Sequence, residues 1–406
     1  MTHAAPLSVD IAIVGGGMAG TALACALLPG RFRIALIESH SPTGFSASRF
    51  FDPRVVALNV ASQQFLHELG AWDTIAAHRL SPYDSMQVWD ADGTADIAFD
   101  AHEIQQPVLG HIVENSLVVH ALQQRLQAAA THRVHWLCPE TVTSLTNNDN
   151  THEHCTLTLA SGQQIQAALV VAADGATSAL RDLANITITD RDYGHTAVIA
   201  TVRTTQPHQR RARQRFLTDG PLAFLPLRDN TGSEYWCSVV WSVPPTQAEA
   251  LQALDDDAFA AALGAAFEHR LGDVLAVHGR HAFPLRQRHA HSYHRDHVVL
   301  VGDAAHTIHP LAGQGVNLGF MDVRVLASEL LAAGQRGVAP NDTDVLARYQ
   351  RRRRGANLGM TATMELFHRL FARTELPVRW LRNTGLRGVN RLGALKRELM
   401  RHAMGV

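Results

Sequence analysis

Residues 9–20 read Val9-Asp10-Ile11-Ala12-Ile13-Val14-Gly15-Gly16-Gly17-Met18-Ala19-Gly20. An apolar run of strand length stops at a glycine cluster, and small apolar residues then continue to Leu28. The pattern predicts a buried parallel strand, a glycine turn and a helix over Met18–Leu28, with Arg33–Glu38 as a second strand. This is a βαβ unit of the size of a mononucleotide-binding half. Gly15 permits the tight turn, Gly17 lets backbone approach a pyrophosphate, and Gly20 lets helix and strand pack closely. The helix start, with Met18 and Ala19, supplies unpaired N–H groups and positive dipole potential for phosphates. Glu38 closes the second strand, where its carboxylate can accept both ribose hydroxyls and disfavours a 2′-phosphate. These residues point to a tightly held ADP moiety, as in FAD or NAD rather than NADP. A signal peptide or membrane span over Ile11–Leu28 is disfavoured, because Asp10 and no Lys or Arg stands just before it.

Working outward, the chain has 406 residues, 46% apolar and 18% charged, which is enough for two or more folded units. Its 36 Lys and Arg against 37 Asp and Glu give a net charge of −1 and exclude a chain-wide basic field, so no nucleic-acid partner is expected. Cys25, Cys138, Cys155 and Cys237 form no Cys-x-x-Cys pair, which disfavours a disulfide framework, a zinc ribbon and a redox dithiol, and suits a reducing compartment. His289, His291, His294 and His297, in a predicted loop, lack carboxylate or cysteine at ligand spacing, and no metal site is expected.

Helices are predicted over Asn59–Leu69 and Asn115–Ala130, and a continuous apolar strand over Ala168–Ala172. Short β-like runs at Thr196–Val202, Ala223–Leu227 and Tyr235–Ser242, interrupted by a helical stretch Gln247–Leu271, suggest a second, sheet-based domain inserted into the first. Val298–Val301 is another buried strand, Gly315–Leu331 a long helix, and the chain from Val345 is largely helical and increasingly basic. The expected fold class is α/β: a Rossmann-like FAD-binding domain with an inserted β-sheet substrate domain and a C-terminal helical tail. The discontinuous FAD domain is placed at 1–72 with 106–185 and 285–345, the sheet domain at 73–105 with 186–284, and the helical segment at 346–406.

Two more strings carry chemistry: Asp174-Gly175-Ala176-Thr177-Ser178-Ala179-Leu180-Arg181 after an apolar strand, and Gly302-Asp303-Ala304-Ala305-His306 before His309-Pro310-Leu311-Ala312-Gly313-Gln314-Gly315-Val316-Asn317. Taken alone, the first is a strand followed by a capped helix, with Asp174 or Ser178 as the cap, and the second is another strand, loop and helix. In order with the first glycine motif, they resemble the group A flavoprotein monooxygenases, the aromatic hydroxylases related to p-hydroxybenzoate hydroxylase. Asp52–Leu58, Val113-Glu114, Gly220–Leu227 and His309–Gly315 are similar to the ubiquinone-biosynthesis hydroxylases, and Arg348–Arg353 with Leu366–Phe371 to their 2-polyprenyl-6-methoxyphenol hydroxylase branch.

The resemblance implies FAD as cofactor, NAD(P)H or another electron donor, O₂ as co-substrate, and a polyprenyl phenol hydroxylated on its ring through a flavin C4a-hydroperoxide. It places Asp303 at the ribityl chain and Gly313, Gln314, Gly315, Val316 and Asn317 at the flavin pyrimidine edge. A helix start at that edge would stabilise a reduced, anionic flavin. The resemblance also places Arg54 and Arg125 near the pyrophosphate and adenosine half, and Asp174 with Arg181 around FAD and a docked nicotinamide. His306, His309 and Pro310 lie near the flavin by family position, with the histidines as candidates for proton transfer or for loop hydrogen bonds.

Other readings stay open: a related flavoenzyme acting on a different phenol, or a flavin-stabilised assembly subunit without turnover. A Trp-x-Trp-x-Ile-Pro halogenase string and a Gly-x-Ser-x-Gly elbow are both missing. From Pro377 on, Val378, Leu381, Leu386, Val389, Leu392, Leu395 and Leu399 accompany seven basic residues at helical spacing. That pattern suits a helix packed on its own domain, a peripheral membrane contact or a partner in a ubiquinone-biosynthesis complex. A cytoplasmic protein, peripheral at the inner face of the membrane, is the expected localisation.

Overall fold

The computed structural model describes residues 5–41, 44–46, 50–90, 96–129, 132–147, 154–307, 315–372 and 393–405, with some side chains beyond 360 left aside. The first part of the chain runs β1 (Leu7–Val14), α1 (Met18–Leu27), β2 (Ile34–Ile37), β3 (Val55–Asn59), α2 (Val60–Glu68) and α3 (Trp72–Ala76). It continues through β4 (Ser81–Tyr83), β5 (Ser85–Asp90), β6 (Asp96–Asp100), β7 (Gly110–Glu114), α4 (Asn115–Ala128), β8 (Val134–Leu137), β9 (Val142–Asn147), β10 (Cys155–Leu159) and β11 (Gln164–Ala172). There follow α5 (Ala179–Leu183), β12 (Ile188–Thr204), β13 (Arg211–Leu217), β14 (Gly220–Leu227), β15 (Trp236–Val243), α6 (Pro245–Ala253), α7 (Asp256–Ala266) and β16 (Val274–Ala290). The last elements are β17 (His294–Arg295), β18 (Val298–Leu300), β19 (His306–Thr307), α8 (Gly315–Gln335), α9 (Thr343–Ala372) and α10 (Gly393–Met404).

The first sheet has the order β17-β18-β11-β1-β2-β8, and β18, β11, β1, β2 and β8 are parallel. Its central strands are apolar on both faces because helices cover both; Ile11, Ile13, Leu36, Val171 and Leu300 are all fully buried. The predicted βαβ unit is therefore present, with the helix one residue shorter than expected. Asn59, expected as a helical residue, instead closes the strand Val55–Asn59 and caps α2, its side chain accepting from the Ser62 amide at 2.9 Å.

The second sheet, β19-β16-β12-β15-β14-β13-β5-β6, is antiparallel except where β13 meets β5. The expected helix over Gln247–Leu271 is two helices, α6 and α7. Asp255 breaks it by accepting from the Ala258 amide at 2.8 Å, with Asp256 and Asp257 in the new first turn. Phe267–Leu271 is not helical, because Glu268 and His269 take positive φ. The histidines read as loop residues are partly on strands: His289 lies in β16 and His294 in β17. A three-stranded sheet, β3-β7-β4, completes the set.

Strand periodicity sorts the second sheet into two faces. Val198, Val202, Leu222, Phe224, Val239 and Trp241 join Phe259 and Leu263 of α7 in one apolar core. The alternate residues face the other way. Register aligns Gln214 with Ala223, Ala223 with Val240, and Val240 with Ile199 into a row across four strands.

At the C-terminal end, α10 packs on the turn Ala101–Ile104. Met400 and Met404 join Ala101, Ile104 and Leu109 in a small core, and Lys396 donates to Glu103 at 2.6 Å. Residues 378–392 of the predicted amphipathic stretch lie outside the described residues. Among the described residues, no helix is long and apolar enough to cross a membrane.

Candidate functional site

A cleft of about 670 Å³ opens between the two large sheets. One end is built from the carboxyl ends of the parallel strands: Gly17, Met18 and Ala19 after β1, Ala173 and Gly175 after β11, and Val301, Gly302 and Asp303 after β18. Open α/β sheets bind ligands at this edge, because the loops and helix starts there leave backbone donors unpaired. The other end is the near face of the second sheet, where Ile199, Ala223, Leu225, Val240 and Phe283 meet the polar side chains of Gln214, Ser238 and Ser242.

At the parallel-sheet end Gly15 and Gly17 each have a measurable reason. Gly15 holds φ +107°, and a side chain there would meet the Ala173 carbonyl. Gly17 has nothing within 4 Å of where a Cβ would stand, so its bare backbone faces the cleft at the start of α1. Glu38 sits at the end of β2 and accepts from the Gly16 amide at 2.6 Å and the His40 amide at 2.9 Å. A cradle that a side chain would fill, a helix N-terminus and an anchored carboxylate fit the ADP half of FAD.

Arg54 lines the cleft from a loop braced on its other side. The Asp52 carboxylate accepts from the Arg54 amide at 2.9 Å and the Ser116 amide at 3.2 Å, while Glu114 accepts from the Asp52 amide at 2.6 Å. Glu114 also pairs with Arg79 at 3.0 Å, both side chains being buried. Arg125 Nε donates to the Leu69 carbonyl at 3.0 Å. Ser178 caps α5 by accepting from the Arg181 amide at 3.0 Å, and Asp174 accepts from the Leu180 amide at 3.1 Å. The other carboxylate oxygen of Asp174 is buried with no hydrogen-bond partner. The buried Arg181 donates to the carbonyls of Ala176 and Ala304 and so ties the loops after β11 and β18 together.

Asp303 opens its side chain to the cleft from a turn otherwise enclosed by protein. Desolvation there raises its pKa above the usual carboxylate value, opposed by His306 and reinforced by Asp322. Gly315 and Val316 line the cleft at the start of α8, so a second helix N-terminus faces it. The Asn317 side chain clamps α8 to its neighbours: its oxygen accepts from the Asn59 amide and the Ser62 hydroxyl, and its nitrogen donates to the Ala57 carbonyl. His306 is fully buried behind the turn, where its Nε2 donates to Asp322 at 2.5 Å, and it does not line the cleft. His309, Pro310, Gly313 and Gln314 lie outside the described residues.

Ala223 and Leu225 lie in the string Gly220–Leu227, but the other cleft-facing residues of the second sheet and the charged core residue Asp322 had no motif to reveal them. The available signal for Asp322 was one acid in the apolar phase of α8.

Residues 8–363 match the model of a family described as FAD binding domain. The chain is 40% identical to the 3-demethoxyubiquinol 3-hydroxylase of Escherichia coli (strain K12), over 98% of each chain. It is 36% identical to the ubiquinone hydroxylase UbiL of Rhodospirillum rubrum, covering all of this chain and 91% of the relative. Among solved structures, p-nitrophenol 4-monooxygenase from Pseudomonas putida DLL-E4 superposes with a TM-score of 0.78 at 20% identity, over 98% of both chains. A probable FAD-dependent monooxygenase from Pseudomonas aeruginosa does so with a TM-score of 0.76 at 20% identity, over 93% of this chain and 99% of the other. These two likenesses establish the shared fold.

Proposed function

Because the chain belongs to the family of FAD-binding aromatic hydroxylases, with ubiquinone-biosynthesis hydroxylases among its relatives, we propose that it hydroxylates the ring of a polyprenyl phenol on the path to ubiquinone. The observation that carries this reading is the two-ended cleft, with nucleotide-binding backbone at one end and a mostly apolar sheet face at the other. In this reading Glu38 accepts the ribose hydroxyls and the turn Gly15–Gly20 with Met18 and Ala19 holds the pyrophosphate. Arg54 supplies positive charge beside it, Asp303 takes the ribityl chain, and the start of α8 faces the pyrimidine edge. Bound FAD supplies the redox and oxygen chemistry, with NAD(P)H or another donor as reductant and O₂ as co-substrate.

The protein's own part is orientation and exclusion of water. Ile199, Ala223, Leu225, Val240 and Phe283 would press on the ring and the first part of the prenyl tail, while Gln214, Ser238 or Ser242 hydrogen-bonds the phenol hydroxyl. His306, locked to Asp322, is not available as a proton shuttle in this reading. The nucleotide part comprises 1–72, 106–185 and 285–345, and the sheet part 73–105 and 186–284. The protein is cytoplasmic and meets the inner face of the membrane peripherally through the arginines that α10 leaves exposed, Arg397 and Arg401.

Lipid extracts of a deletion strain test the reading, because the accumulated precursor identifies the missing hydroxylation and its ring position. Restoration of ubiquinone by the gene is expected; no accumulated precursor would reject the assignment.

A further inference from the structure

Asp322 is a fully buried carboxylate on the apolar face of α8. One oxygen accepts from the Gly302 amide at 3.2 Å and His306 Nε2 at 2.5 Å; the other accepts from Arg353 Nε at 2.7 Å and Asn357 Nδ2 at 3.0 Å. Arg353 also donates to the Asn357 oxygen at 2.7 Å and the Leu318 carbonyl at 3.4 Å. A buried carboxylate is unfavourable unless such partners surround it, and an apolar residue would fill the same space without that demand. Tyr349, Arg353 and Asn357 recur every four residues on α9 and are all buried, although Arg351, Arg352 and Arg354 around them are exposed. The stripe thus brings α9 to the rear of the turn whose front, at Gly302 and Asp303, lines the cleft. Gly302 holds φ +59°, and a Cβ on Gly319 would stand 3.3 Å from its Cα, so turn and helix are in close contact.

We propose that Asp322 is a positioning residue for the cofactor: braced by Arg353 and Asn357, it fixes the Gly302–His306 turn from behind and so sets where Asp303 is presented to FAD. The inference rests on the reading of this cleft as the FAD site. Burial alone would raise the Asp322 pKa, but His306, Arg353 and Asn357 outweigh it and hold the group below the usual carboxylate range, as an anion. Removing the anion leaves the Gly302 amide, the His306 ring and the Arg353 guanidinium competing for a weaker acceptor.

The test is FAD titration of the full-length apoprotein, followed by flavin fluorescence quenching and by the visible flavin spectrum. Asp322→Asn and His306→Leu are expected to weaken FAD binding about tenfold and shift the spectrum, whereas His306→Gln, which keeps an N–H donor, stays within about twofold of wild type. Phe259→Leu, in the core beneath the far face of the second sheet, should lower Tm without moving either readout. Wild-type affinity and spectrum in both Asp322→Asn and His306→Leu would overturn the inference, whatever their Tm. If Asp322→Asn does not fold, the His306 pair decides. A wild-type chain that binds no FAD would instead overturn the cofactor reading, and this inference with it.

Discussion

The two large sheets meet at one cleft but build it in different ways. The parallel sheet offers its edge: short contiguous strings after β1, β11 and β18 supply Gly17, Gly175 and Asp303. The antiparallel sheet offers a face, and its wall is a row of single residues from four strands, Gln214, Ala223, Val240 and Ile199. An edge site needs particular backbone geometry at a few consecutive positions. A face site needs only side chains of suitable size at alternate positions, and it tolerates many sequences. If the proposed reading holds, the parallel-sheet end takes the nucleotide and should respond to changes at glycine, and the antiparallel-sheet end takes the substrate and should respond to changes in volume.

The largest effect expected is at Gly17. A Cβ at Gly17 meets nothing in the protein, so Gly17→Val apoprotein should fold with near-wild-type Tm yet purify without the yellow 450 nm flavin band, roughly a hundredfold or more weaker in FAD binding by loss of backbone approach. Normal flavin content would break the proposed distinction between edge and face. Next come the adjacent residues Ala223 and Phe224. Ala223→Trp should leave folding and FAD content intact while turnover of a prenyl phenol falls at least about tenfold, since the ring's place is filled. Phe224→Ala should instead cost about 3–5 kcal/mol in urea unfolding, because the side chain is buried against α7. If both variants lost the same property, the two-faced description of the sheet would fail.

Acid should act through His111 in the small three-stranded sheet and His289 in the antiparallel one. His111 and His289 are buried, and that burial, aided by Arg210 and His306 respectively, pushes each pKa from 6.5 down to about 4. The folded state holds these rings neutral while the unfolded chain takes up protons below pH 6.5. The part of the stability that these two rings govern is therefore full above about pH 6.5, falls as pH drops toward 4, and stops changing below that. Each ring contributes up to about 3 kcal/mol to this slope. Urea midpoints at pH 7 and pH 4.5 measure it, and His111→Phe should shallow the loss; an unchanged profile would exclude His111 as a source. The smallest effect is at the helix start that divides α6 from α7. Asp255→Ala should lower stability by about 1 kcal/mol with FAD affinity unaltered.

The glycine turn and the carboxylate after β2 were readable before the structure because Gly15 to Gly20 and Glu38 are close in sequence and chemically constrained. Asp303 was found through the family resemblance and does line the cleft. Of the residues placed near the cofactor by the same resemblance, Arg125 bonds the Leu69 carbonyl through Nε and His306 bonds Asp322 through Nε2, contacts that no motif announced. The stretch Gln247–Leu271, read as one helical segment, is divided where Asp255 caps a new helix with Asp256 and Asp257 in its first turn.

The sequence alone determined the βαβ unit, the ADP-binding chemistry and the family, because these depend on local backbone geometry and on contiguous residue types. Tertiary structure decided which face of β12 to β15 lines the cleft, since strand register is set by pairing between segments distant in the chain. It also decided that Arg353, one of four successive arginines, is drawn inward: only the fold brings it beside the buried carboxylate of Asp322.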